Sequence, residues 1–185
     1  MRRYWFPKRY ADLVAKLRVP SGFLLVAAFA YFAAPDPRSL AIGIPVSIAG
    51  LLLRAWAAGH LAKNRNLATS GPYSYSRNPL YVGTLLVAAG LVIASQQWLL
   101  AALFGAVFLL VYLPVIELEE QHLRKLFPEY GGYAAKVPML LPFGRLNSNG
   151  GFQRALYMKN QEYQALGGYM LGLLLLAWKA GLGRF

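Results

Sequence analysis

Apolar residues run in long stretches along this chain, and polar residues gather between them. Residues 19–34 form the first stretch. It is short for a membrane crossing, so it is expected to extend upstream or to tilt. Pro35-Asp36-Pro37 makes a tight turn. Residues 40–58 form the second stretch, with Pro45 near its start. Residues 80–94 and 98–116 form the third and fourth. Only Ser95-Gln96-Gln97 separates these two, so they are expected to form an antiparallel hairpin. Residues 117–127 continue the fourth helix beyond its apolar part. Residues 138–142 are too few to cross and predict a membrane-touching turn. Residues 163–182 form a fifth apolar stretch, with glycines at 167, 168 and 172 that permit close helix packing. No segment has strand periodicity. The pattern predicts an all-α integral membrane protein of about five transmembrane helices.

Composition agrees. Of 185 residues, 57% are hydrophobic and 14% charged, against about 25% charged in soluble domains. Mean hydropathy is +0.40. The net charge of +12 would suit nucleic acid, but no basic stripe accompanies a nucleic-acid motif. Basic loops of a membrane protein explain it instead. The absence of cysteine excludes disulfides and thiol chemistry. The first apolar run lacks a clear cleavage site, so no cleavable signal peptide is expected.

Charge also orients the chain. Residues 1–18 carry Arg2, Arg3, Lys8, Arg9, Lys16 and Arg18 against Asp12, with Tyr4, Trp5, Phe6, Tyr10, Leu13, Val14 and Leu17 as an apolar side. Such a basic amphipathic segment is expected to lie along the headgroups as an interfacial helix. The N-terminus, the 59–79 loop and the 117–162 segment hold nearly all lysines and arginines, whereas the two short turns hold only Arg38. A multi-pass chain with its N-terminus and both long loops on the cytoplasmic side follows. The expected organisation is an interfacial segment (1–18), an N-terminal hairpin (19–58), a core (59–142) and a C-terminal extension with the fifth helix (143–185).

Two of the polar segments carry candidate chemistry. The first is Ser70-Gly71-Pro72-Tyr73-Ser74-Tyr75-Ser76-Arg77-Asn78-Pro79-Leu80-Tyr81-Val82-Gly83. Gly71-Pro72 is a turn signal, and Asn78-Pro79 suits a helix entry with Asn as cap and Pro at the first helical position. Tyr73, Tyr75, Arg77 and Asn78 are thereby gathered at a helix mouth beside the bilayer. Backbone N–H groups, an arginine and aromatic faces suit a charged, partly flat ligand there. The second runs from Glu117 to Pro138. It holds four of the chain's seven acids: Glu117, Glu119, Glu120 and Glu129. Neighbouring helix residues point about 100° apart, so Glu119 and Glu120 serve different directions. Glu120 has Arg124 at i+4, which suits a surface pair; Glu119 has no such partner and is expected to face the bundle. Arg54, one turn from the end of the second stretch, reads equally well as a side chain reaching for the interface or as a functional group. His60 and His122 are lone histidines near the interface, structural groups unless the acceptor needs a base.

Gly71-Pro72-Tyr73, Arg77-Asn78-Pro79-Leu80-Tyr81-Val82-Gly83, Glu119-Glu120-Gln121-His122-Leu123, Phe127, Tyr130, Tyr133 and Val137-Pro138 together resemble the isoprenylcysteine carboxyl methyltransferase family and its phospholipid N-methyltransferase relatives. Order and spacing agree over about residues 60–142. The resemblance implies an S-adenosyl-L-methionine pocket made by these segments, with S-adenosyl-L-homocysteine as product. Arg65, Asn66, Leu67, Ala68, Tyr73, Asn78, Pro79, Leu80, Tyr81 and Glu119 would line it, with Glu119 holding the cofactor's amino group. Arg77, Glu120 and His60 are the candidate catalytic groups. Two positions depart from the family: Asn78 stands where histidine is usual, and Val115 stands where an arginine engages the substrate carboxylate. A prenylcysteine carboxylate is therefore not the expected acceptor. The partners implied are the bilayer and a lipophilic acceptor, with neither nucleic acid nor metal. The alternatives are a phospholipid, amine or thiol methyltransferase, an NADPH-dependent membrane reductase related to sterol reductases, and a non-enzymatic scaffold. The absence of G-x-G-x-x-G is consistent with a pocket outside any Rossmann sheet.

Overall fold

The structure is a computed structural model, and it describes residues 5–143 and 150–181. Arg2, Arg3 and Tyr4 of the expected interfacial segment lie outside the described residues, as does Leu182 at the end of the fifth stretch. All regular structure among the described residues is helical: α1 (Lys8–Phe32), α2 (Pro37–Ala58), a 3-10 turn (Gly71–Ser74), α3 (Pro79–Ser95), α4 (Trp98–Val107), a π segment (Phe108–Tyr112), α5 (Leu113–Leu126), α6 (Tyr130–Lys136), α7 (Arg154–Lys159) and α8 (Tyr163–Lys179).

Among the described residues three helices are long and apolar enough to cross a membrane: Lys8–Phe32, Pro37–Ala58 and the continuous helix Trp98–Leu126. Pro79–Ser95 is apolar but shorter. Their outer faces carry Phe23, Val26, Leu52 and Leu110, all more than half exposed, which is what a lipid-facing surface requires. The protein is an integral membrane protein. One boundary differs from expectation. The basic segment does not form a separate helix: α1 starts at Lys8 and continues through Pro20 without a break in assignment. At 1.5 Å per residue, the added turns give α1 the length that 19–34 lacked.

The α2–α3 pair is the tightest packing in the molecule. Gly43 and Gly50 on α2 face Gly90 and Gly83 on α3, each pair seven residues apart along its helix. A Cβ at Gly50 would sit 2.6 Å from the Gly83 carbonyl oxygen. Only glycine lets the two backbones approach this closely. At the turn end, Asp36 caps α2 by accepting from the Ser39 N–H at 2.7 Å, and the Ser39 hydroxyl donates to the Ala94 carbonyl of α3 at 2.9 Å. Ala33, Leu40, Ala94, Leu100 and Leu176 form the core at that end. The helix ends that bear the two polar segments lie together at the other.

Candidate functional site

The 70–83 and 117–139 segments meet in space. Arg77 is the joint. Its backbone N–H donates to the Pro138 carbonyl at 2.9 Å, and its guanidinium donates to the Ala134 carbonyl at 3.0 Å. Arg77 Nε lies 2.9 Å from Glu120 Oε1, a close charge contact in which the N–H is not aimed at the oxygen. Asn78 Nδ2 donates to Glu120 Oε1 at 3.2 Å and to the Met139 carbonyl at 3.1 Å. Behind this joint, Phe127, Tyr130, Tyr133, Ala134 and Val137 pack as a small core, and the Tyr133 hydroxyl donates to the Tyr73 carbonyl at 2.7 Å. Burial pushes the Tyr73, Tyr130 and Tyr133 hydroxyls well above the usual tyrosine range, so all three stay neutral.

These contacts correct two expectations. Asn78 does occupy the cap position before Pro79, but its side chain makes no capping hydrogen bond; it is spent on Glu120 and Met139. Glu120 does not form a surface pair with Arg124. It is buried, at 8% exposure, against Arg77, while the Arg124 guanidinium lies 5.0 Å from the centre of the Tyr130 ring. An i+4 partner was the visible signal, and a buried arginine distant in sequence outbid it because the Arg77 charge has to be matched inside.

Next to the joint opens a cleft of about 690 Å³. Asn66, Leu67, Ala68, Tyr73, Asn78, Leu80, Tyr81 and Glu119 line it, together with Arg18, Arg54, Lys63, Tyr112, His122 and Glu162. Among the residues expected at a ligand site, Arg65 and Pro79 are not in this lining, and neither is Glu120. His60 lies outside it as well. Its ring is hydrogen-bonded through Nδ1 to the Ser70 hydroxyl at 3.0 Å and packs on Gly71, where φ is +57°. This contact steadies the turn. Partial burial lowers its basicity below the ordinary 6.5. Tyr75 is exposed and is not in this lining. A smaller cavity of about 340 Å³ lies across Arg77, lined by Trp5, Phe6, Glu117 and Glu120 among others. The Trp5 and Phe6 N–H groups donate to the Glu117 carboxylate at 2.8 and 3.1 Å.

Arg18, Glu162 and Tyr112 line the cleft without having been singled out from the sequence. Arg18, read as part of a basic anchor, reaches Glu119 at 3.3 Å; the Tyr81 hydroxyl donates to the same Glu119 oxygen at 3.1 Å. Glu162 grips Arg54 with both carboxylate oxygens, accepting from Nε at 3.0 Å and from a terminal nitrogen at 2.8 Å. Tyr112 is turned into the cleft by the π segment and meets the Tyr81 ring edge-on. Arg54 thus belongs to the site rather than to the interface. Its other terminal nitrogen donates to Thr84 Oγ1 at 2.5 Å.

The cleft therefore joins a carboxylate, aromatic faces and backbone-rich loops at the end of a helical membrane bundle. Comparison with known proteins bears on what such a cleft serves. Residues 41–130 match the phospholipid methyltransferase family model. The matched stretch takes in most of α2, all of α3 to α5, the four glycines of the α2–α3 contact and Glu119. The chain is also 29% identical over 141 residues to the protein-S-isoprenylcysteine O-methyltransferase of Schizosaccharomyces pombe, covering 73% of this chain and 59% of that protein. It is 37% identical over 103 residues to the cobalt-zinc-cadmium resistance protein CzcN of Cupriavidus metallidurans, covering 55% of this chain and 46% of that protein. The nickel-cobalt-cadmium resistance protein NccN of Alcaligenes xylosoxydans xylosoxydans is similar at 35% over 103 residues, with 55% and 47% covered. The chain spans about half the length of these curated relatives. No solved structure matches significantly. The resemblance read from the paired motifs thus stands. Among the described residues no group of three or more His, Cys, Asp or Glu is placed to hold a metal ion.

Proposed function

We propose that the protein is a membrane methyltransferase that binds S-adenosyl-L-methionine in the 690 Å³ cleft and methylates a lipophilic acceptor. The carrying observation is that the two motif-bearing segments, 70–83 and 117–139, converge on one opening that contains Glu119, Tyr73 and Tyr81. Its volume lies within the range of about 300–1,000 Å³ usual for ligand and cofactor sites. The donor set fits the ligand. Glu119 would take the cofactor's ammonium, exchanging it for the exposed Arg18 contact. Arg18 and Lys63 are then available to its carboxylate, and the tyrosine faces suit a sulfonium. The bound cofactor supplies a methyl group that the acceptor's lone pair displaces, the bonding electrons remaining on sulfur. The protein's own task is alignment more than proton transfer. Leu80, Thr84, Tyr112 and Arg54, along the helix sides, form the end at which a lipophilic acceptor would arrive from the bilayer. The buried Arg77–Glu120 joint holds the two segments together; His60 holds the turn. The excess of Lys and Arg in the loops supports a cytoplasmic cleft and N-terminus in this reading.

Calorimetric titration of S-adenosylhomocysteine into detergent-purified protein tests the reading. Glu119→Gln keeps the shape and removes the charge. Because the Glu119 side chain is 45% exposed, the loss falls at the low end for charge-assisted pairs, about tenfold or 1.4 kcal/mol. No binding by the parent protein, or tight NADPH binding in its place, removes the methyltransferase reading.

A further inference from the structure

The C-terminal extension places a carboxylate in the cleft, and this carries an inference about which acceptors the site accepts. Asn160, Gln161 and Glu162 form the tight link between α7 and α8. Gln161 adopts φ +57°, a left-handed conformation that a non-glycine residue rarely takes and that turns the chain sharply. On one side of it, Asn160 Nδ2 donates to the carbonyls of Ala58 and Leu61, both at 2.9 Å, clamping the link to the end of α2. On the other side, Glu162 closes on Arg54 with two parallel bonds. The Glu162 side chain is only 11% exposed and that of Arg54 22%, so the pair is shielded from water and resists exchange, unlike the Arg18–Glu119 contact at the open edge.

The guanidinium is also committed on its remaining side, to Thr84 Oγ1 and, at 3.4 Å, to the Leu80 carbonyl. A carboxylate headgroup arriving at this end of the cleft meets an arginine whose bidentate face is already filled. Arg77 is committed as well, its charge against the Glu120 carboxylate and a terminal nitrogen to the Ala134 carbonyl. Arg18, on α1, lies at Glu119 and Lys63 in the loop after α2; both serve the amino-acid end of the proposed cofactor. Val115 is apolar and buried and adds no charge.

Resting on the methyltransferase reading, we infer that Glu162 is a specificity-determining residue: by occupying Arg54 it excludes anionic acceptors and leaves the acceptor end fit for an uncharged lone-pair donor, such as a lipophilic amine or thiol. Glu162 lies outside the family-matched stretch of 41–130, so the extension, not the shared core, sets this selection.

The test compares equilibrium binding of two probes to detergent-purified protein in the presence of S-adenosylhomocysteine: an N-acetyl-prenylcysteine carboxylate and the matching N-acetyl-prenylcysteine amide, which is uncharged. The parent should bind the amide at least tenfold more tightly. Glu162→Gln should raise carboxylate affinity about tenfold, and Arg54→Gln added to it should abolish that gain. S-adenosylhomocysteine titration of each variant reports whether the cleft is intact. Should Glu162→Gln not yield folded protein, Glu162→Asp, which shortens the side chain by one carbon and opens the bidentate contact, should show the same gain in smaller measure. Equal binding of both probes by the parent, or no gain in a variant that still binds S-adenosylhomocysteine, overturns the inference while leaving the methyltransferase reading standing. Failure of the parent to bind S-adenosylhomocysteine overturns both.

Discussion

The joint around Glu120 and the cleft edge at Glu119 are one residue apart on α5, yet their carboxylates meet opposite surroundings. Glu120 is buried, shares its oxygen between Arg77 and Asn78, and sits where two segments of the chain are pinned together. Glu119 is nearly half exposed and holds partners that solvent or a ligand can replace. The chemical group is identical, and what differs is whether its partner is shielded. A shielded pair fixes structure because neither charge can be left alone. An open pair costs little to break, which is what a group awaiting a ligand requires.

The largest expected effect breaks the joint. Glu120→Ala leaves the Arg77 charge buried without its partner, which costs about 3–5 kcal/mol. A large drop in thermal midpoint in detergent, or loss of folded protein, is expected, whereas Glu119→Ala should shift the midpoint little. Similar midpoints for the two variants would erase the contrast. Next in size is a rescue. Arg77→Met combined with Glu120→Leu replaces the pair by apolar side chains, and most of the lost midpoint should return, as buried pairs replaced whole are often neutral. A double variant no better than Glu120→Ala would mean that Asn78 and the Ala134 carbonyl depend on the charges themselves.

Smaller still is the open edge. Arg18→Gln removes an exposed partner worth well under about 1 kcal/mol. Calorimetry in low salt should show at most a few-fold change in S-adenosylhomocysteine affinity, against the larger loss at Glu119. The smallest effect is at His60, which packs on the turn at Gly71. Burial holds this base neutral, so the unfolded chain takes up the proton first as pH falls. Its contribution is complete above the ordinary 6.5 and is lost as pH drops below it. The thermal midpoint should decline slightly between pH 7 and 5.5, and His60→Gln should flatten that part of the decline.

Much of this was readable in advance, for definite reasons. Long apolar runs leave little choice but membrane helices, so α2, α3 and the Trp98–Leu126 helix follow from the pattern. The paired motifs sit in short segments that bracket a helical hairpin, so they had to meet at one end of it. The direction of a side chain on a helix is harder to read. Glu120 had a ready partner four residues on, and nothing local revealed Arg77. Glu162 stood alone in an unpatterned stretch. A signal did exist: Arg54 in an apolar helix demands a counter-charge, and the other acids lie at Asp12, Asp36 and in the 117–129 run. Elimination leaves Glu162. Arg18 was hidden among five other basic residues of the same segment.

The π segment at Phe108–Tyr112 acts as a frame setter for everything beyond it. Its i→i+5 bonding takes one more residue into the turn than an α-helix does, and α1 touches it where the Tyr10 hydroxyl donates to the Leu110 carbonyl at 2.6 Å. Were these five residues to tighten into α geometry with none removed, α5 would rotate by about 100°. Glu119 would then swing into the place now held by Glu120, and Leu118 would inherit the cleft edge. A single-residue deletion inside the segment absorbs that rotation and keeps the frame; the same deletion a turn later does not. Which of two adjacent carboxylates is shielded and which is open is thus decided at Phe108–Tyr112, by slack in the helix rather than by either side chain.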